Sequence, residues 1–176
     1  PTSGVLQKRL IEHARTRYRR NNLTDLLPVG SLESLALPGE SYKLAFTPGL
    51  LAQAYGSRVT ENMLTNEGRY VHSNGDTNWW IPSGRIFYHE NPNMNAAQEL
   101  AEAQRHFFLP RRYRDPFHTD AVSTESFVTY DRYDLLMVET RDALGNRVAV
   151  GANDYRVLQP RLVSDPNHNR TEVAFD

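Results

Sequence analysis

The chain has no cysteine among its 176 residues, so neither a disulfide framework nor a thiolate metal site is available to it. That fits a reducing compartment or a large exported protein that needs no staples, and it does not separate the two. No charge of one sign dominates: 20 Lys and Arg stand against 21 Asp and Glu, so bulk charge points to no nucleic-acid partner. No apolar run approaches the roughly 20 residues of a membrane span. The start, Pro1-Thr2-Ser3-Gly4, resembles neither a signal peptide nor a natural initiation. Catalytic signatures are missing as well. There is no P-loop, no G-x-S-x-G, no dinucleotide fingerprint, and no H-x-x-x-H spacing among the histidines.

What is present is repetition. An Asp followed by turn-forming residues opens a β-rich run three times: Asp115-Pro116-Phe117, Asp142-Ala143-Leu144-Gly145-Asn146 and Asp165-Pro166-Asn167-His168-Asn169. Each run ends near an aromatic beside an Asp: Tyr130-Asp131, Asp154-Tyr155 and Phe175-Asp176. Self-similarity at this spacing indicates a stacked repeat. The aspartates are explained by turn chemistry, because an Asp side chain bonds backbone N–H groups two residues on. They need no catalytic role. The third repeat stops at its aromatic, so we expect a piece of a longer protein.

The expected fold is mainly β. Residues 1–109 form a β-rich lead-in with two short helices, and 110–176 hold about two and a half degenerate β repeats. Thr47-Pro48 supplies an N-cap and a first-turn proline for a short helix near 48–55, with Leu and Tyr facing the core. Asn95 and Gln98 form a capping box for one clear helix at about 94–108, with Ala97, Leu100, Ala101, Phe107 and Phe108 near its packing stripe. Glu99 and Glu102 then fall on an exposed stripe. Pro38-Gly39 and Pro82-Ser83-Gly84 read as breaks. Asn74-Gly75 reads as the type I′ turn of a hairpin between 70–73 and 77–81. Lys8, Arg9, Arg15, Arg17, Arg19 and Arg20 read as a solvated strand face or a contact for an acidic partner ahead of a nucleic-acid patch, since no stacking aromatic is interleaved beyond Tyr18.

Two constellations were candidates for binding. Trp79 and Trp80 fall on opposite faces of a strand, and with Tyr70 and Tyr88 they offer a platform for a glycan or protein. His72, Asn74, Asp76 and Asn78 recur at every second position, as calcium ligands do, but only Asp76 is a carboxylate. We therefore expect no metal and no cofactor. With no convergent nucleophile, base or carboxylate pair, we also expect no enzyme; an uncharacterised hydrolase, which would need a polar pocket holding perturbed titratable groups, is the remaining alternative beside the binding module.

At Val128-Thr129-Tyr130-Asp131 and Asp142-Ala143-Leu144-Gly145-Asn146-Arg147 the chain resembles the Rhs, or YD-repeat, family. The phrases Glu33 to Tyr42, Trp79 to Arg85, Phe107 to Phe117 and Tyr155 to Val163 are similar to the region entering the Rhs repeats of insecticidal toxin-complex B components. The resemblance implies a hollow β shell that joins a C component, encloses its cytotoxic C-terminal region, and delivers it through a pore-forming A component. It implies a secreted or cell-surface virulence complex, made in the bacterial cytoplasm, and a structural role with no catalytic residue to carry over. The usual turn is altered at His118-Thr119-Asp120, with an apparent insertion through Ser126, and at His168, so longer loops are expected there. The partners implied are the remaining repeats and the C component. An unpaired last strand should drive self-association or leave the chain disordered beyond about residue 150.

Overall fold

The computed structural model describes residues 4, 6 and 10–176. Nine strands run antiparallel in one sheet, each paired with its neighbours in sequence. They are β1 (Ala14–Tyr18), β2 (Pro38–Phe46), β3 (Trp79–Phe87), β4 (Arg112–Arg114), β5 (Glu125–Tyr130), β6 (Met137–Arg141), β7 (Arg147–Asp154), β8 (Gln159–Ser164) and β9 (Arg170–Glu172). Two α-helices interrupt this meander, α1 (Pro48–Ala54) and α2 (Ala96–Arg105). The mainly-β expectation holds, and the sheet passes residue 110 without a break. Beyond residue 150 the chain continues in paired strands to Glu172 instead of losing order.

Local chemistry sets the helices. In α1 the Thr47 hydroxyl accepts from Leu50 N, and Gly56 closes the end with φ +57°. None of its residues is buried, so the expected core face is absent; Tyr55 meets Phe46 edge-on at 5.8 Å. In α2 the Asn95–Gln98 capping box forms in both directions. The helix stops at Arg105, short of 108, because Phe107 and Phe108 both turn to positive φ. Its buried stripe is also displaced by one position from the expected one. Ala96, Glu99, Leu100 and Ala103 face inward, while Ala97, Ala101 and Phe107 are exposed.

The central core gathers under α2. Leu23, Leu37, Tyr88 and Ala103 are buried together, with Ala96, Leu100 and Phe108 against them. Removing a side chain such as Tyr88 from water contributes on the order of 3 kcal/mol. The Tyr88 hydroxyl donates to Pro38 O at 3.2 Å, and burial pushes its pKa up to about 12.

Both expected breaks lie within strands. Pro38-Gly39 opens β2, where a first-position proline costs no ladder bond. Pro82-Ser83-Gly84 lies inside β3 as a bulge: β3 has one residue more than β2 between the Tyr42–Pro82 and Glu40–Arg85 pairs. Gly84 is required there. Its φ is +96°, and a Cβ would sit 2.2 Å from Arg114 O. The Asn74-Gly75 turn has the expected positive φ at both residues, but it closes a loop, not a full hairpin. Only Val71 and Trp80 pair across it.

Candidate functional site

The hairpins of β5–β9 place two rows of turns at opposite ends of the strands. In one row, Asp142 Oδ1 accepts from Leu144 N and Asn146 N at 2.9 Å each, and Oδ2 accepts from Asn146 Nδ2 at 2.8 Å. Asp165 repeats this with Asn167 N, Asn169 N and Asn169 Nδ2, all at 2.8 Å. Gly145 supplies the left-handed residue in the first turn at φ +86°, and His168 supplies it in the second at φ +63°. The tight turn thus survives the histidine, since His tolerates this region better than most residues. Asp115 starts the same turn, with Phe117 N at 2.7 Å. No returning Asn closes it, and a long loop follows to β5, as the altered sequence there implied.

In the other row, Asp131 Oδ1 accepts from Leu135 N at 2.8 Å and more weakly from Tyr133 and Leu136 N. Asp131 Oδ2 accepts from the Tyr155 hydroxyl at 2.8 Å, which ties one turn to the next. Tyr133 and Tyr155 meet edge-on at 5.7 Å. Tyr130, at the end of β5, donates to Pro110 O at 3.1 Å. The carboxyls record these bonds. The Asn146 side chain holds Asp142 below the usual carboxylate range, and the Asn169 side chain does the same for Asp165. At Asp131 desolvation raises the pKa, but the Leu135 N–H and Tyr155 hydroxyl outweigh it.

The aromatic residues form no platform. Trp80 is fully buried: Arg15 lies 3.8 Å from its ring centroid, His13 4.9 Å away, and its Nε1 donates to Asp76. Trp79 is buried against His72, Tyr70 leans on Phe46, and Tyr88 lies apart in the core under α2. Trp79, Trp80 and Tyr88 are buried and only Tyr70 is half-exposed, so the four share no open face. Asp76 is held by Arg15 at 3.0 Å and by Asn78 N at 3.0 Å, so its carboxylate is committed within the chain.

Sequence reasoning missed a buried charged seam. Arg15, Arg17 and Arg19 point inward and not to solvent, Arg20 stays exposed beside Glu33, and Lys8 and Arg9 lie outside the described residues. Arg17 donates to Leu27 O, and Arg19 makes a two-pronged pair with Glu99 at 2.8 and 2.9 Å. Glu99 also accepts from Tyr88 N at 2.8 Å, so it lies in the interior, not on an exposed stripe. Next to it, Arg112 and Arg114 both donate to Glu125 Oε1. Farther along, Arg111 pairs with Asp134 at 2.8 Å, and His106 contacts both Asp134 at 2.8 Å and Glu102 at 3.0 Å. The signal was in the spacing. Arginines at alternate strand positions define one face, and Glu99 shares the helical stripe of Ala96, Leu100 and Ala103.

Known structures carry the same architecture. The crystal structure of TcdB2–TccC3 matches at a TM-score of 0.61 and 20% identity, and that of TcdB2–TccC3–Cdc42 at 0.62 and 20%. A Tc holotoxin pore of Photorhabdus luminescens carrying a TccC3 variant matches at 0.62 and 21%. Each alignment covers 93% of this chain and 7% of the other chain. The chain shares its fold with a stretch of these toxin-complex proteins. The chain spans only a small stretch of those proteins, and at this identity the likeness extends to the fold alone. No protein-family model and no curated protein matches the sequence.

Proposed function

We propose that this chain is a wall segment of an Rhs-type β shell in a bacterial toxin-delivery complex, enclosing the cytotoxic C-terminal region of a partner. One observation carries the reading. Strands β6–β9 form regular, turn-locked hairpins of which no residue is buried. A sheet built so regularly and left bare on both faces suits an element completed by stacked neighbours. The two rows of Asp turns set the hairpin spacing, and the Tyr155–Asp131 bond ties one repeat to the next. Toxin-complex likeness over 93% of the chain supports the same role.

On this reading the contribution is structural and not enzymatic. The partners are further YD repeats and a C component, with a pore-forming A component engaged indirectly, in a secreted virulence complex. The outer side of β9 is the edge through which the next strand, or a second copy of the fragment, would pair.

Protease protection tests the proposal. The full-length protein is co-expressed with its C-type partner, and digestion of the partner's C-terminal region is followed on a gel. Protection is expected in the wild type, and Val128→Asp, which charges a buried β5 position, should abolish it. Digestion at the same rate with and without an intact shell protein would refute the enclosure.

A further inference from the structure

The seam under α2 carries more positive than negative charge. Arg19, Arg112 and Arg114 converge on the Phe87 ring, their guanidinium carbons 5.9, 3.8 and 5.1 Å from its centroid. Only Glu99 and Glu125 answer them. Glu99 spends both oxygens on Arg19, and Glu125 takes Arg112 and Arg114 on a single oxygen. Arg112 donates through Nε to His89 O and through Nη1 to Glu125, which leaves its Nη2 without an acceptor among the described residues. Arg114 uses Nε and Nη2, which leaves Nη1 in the same condition. The Arg112 side chain is only 5% exposed. A cavity of about 230 Å³ opens beside these groups, lined by Arg19, Phe87, His89, Glu99, Arg112 and Arg114 among others.

We propose that this cavity is a binding subsite for one compact oxyanion, a phosphate or a carboxylate group, held between Arg112 Nη2 and Arg114 Nη1. One donor from each of two guanidinium groups suits either anion, since charge-assisted N–H bonds to separate oxygens are the strong ones and the cations stay protonated throughout. Burial is the largest influence on Arg112 and lowers its pKa. The charge of Arg114 acts in the same direction and the bond to Glu125 opposes it. An incoming anion offsets the charge that Glu99 and Glu125 leave unmatched. The site does not rest on the shell reading, because it uses the charge balance beside α2 and β4 and none of the Asp turns or bare hairpins of β6–β9.

Thermal unfolding of the 176-residue chain in inorganic phosphate tests it, against chloride at matched ionic strength. Binding to the folded state raises the midpoint in proportion to the logarithm of ligand concentration, and about 4 °C is expected at twentyfold saturation. Arg147→Gln, on the exposed far wing, should keep the full shift. Arg114→Gln should lose it. Arg114→Lys keeps the charge but has one ammonium group in place of separate nitrogens for Glu125 and the anion, so the phosphate titration should move to at least fivefold higher concentration even if the glutamine variant fails to fold. Acetate distinguishes the source: a shift with both anions points to a side-chain carboxylate as a natural occupant, and a shift with phosphate alone to a free oxyanion. No shift in the wild type beyond chloride, or an unchanged titration in Arg114→Lys, would overturn the site.

Discussion

Glu99 shows how much one side chain can hold in this fold. It accepts from two Arg19 nitrogens and from Tyr88 N, joining β1, α2 and the end of β3 at one point. Both partners of the pair are more than nine-tenths buried. Removing one member of such a pair leaves a desolvated charge, which costs about 3–5 kcal/mol. Glu99→Ala should therefore lower the urea midpoint strongly, while Glu102→Ala, three residues on and partly exposed, should cost no more than about 1 kcal/mol. Equal losses would place Glu99 outside the core. Gly84 is a second sensitive position. An alanine there faces both a positive φ and a Cβ 2.2 Å from Arg114 O, so β3 and β4 must separate. A loss above about 2 kcal/mol is expected, with near-normal stability for Gly75→Asn, where the turn is open and Asn tolerates the geometry.

At the scale of elements, the turns behave as small acid-sensitive clamps. Asp142 and Asp165 hold lowered pKa values because their ionised carboxylates accept three hydrogen bonds each. As pH falls, the unfolded chain takes up these protons first, near the ordinary Asp value of about 3.9. The stabilisation is therefore complete above that value and is lost as pH falls through the lower folded-state values. Glu125 acts in the same direction, its desolvation outweighed by Arg114 and Arg112. Carboxyl ¹³C titration should show Asp142 and Asp165 titrating below the ordinary Asp midpoint of about 3.9. Midpoints at or above 3.9 for Asp142 would mean that the clamp does not form. These turns were legible because Asp, Gly and Asn encode them locally, and the α2 capping box was legible for the same reason. The bulge at Gly84 and the buried Arg19–Glu99 pair were not. Each depends on what a distant strand brings: Arg114 O against Gly84, and β1 against α2. A charged residue carries no local mark of being paired inside.

Across the whole molecule, burial is distributed unevenly. Every buried described residue lies at or before Val128, while residues 137–176 have none and expose Met137, Val148, Leu158 and Val173. The wing is held by ladder bonds and turns, with little apolar surface removed from water to oppose its opening. Hydrogen exchange on this chain should grade accordingly. Amides of β2, β3 and β4 should be the most protected, β5 next, and β7–β9 should exchange by local opening well before global unfolding. Limited proteolysis should cut first within 132–136 or 155–158, where the turns are exposed. On the proposed shell reading, neighbouring repeats of a longer protein would cover the wing, and protection of β7–β9 should rise towards that of β3 there. The comparison separates two physical pictures. If the wing is as protected in this chain alone as in the longer protein, its hairpins are stable without neighbours, and its bareness does not argue for a shell. If protection appears only with the neighbours present, the repeats are incomplete elements whose stability comes from being joined into a wall.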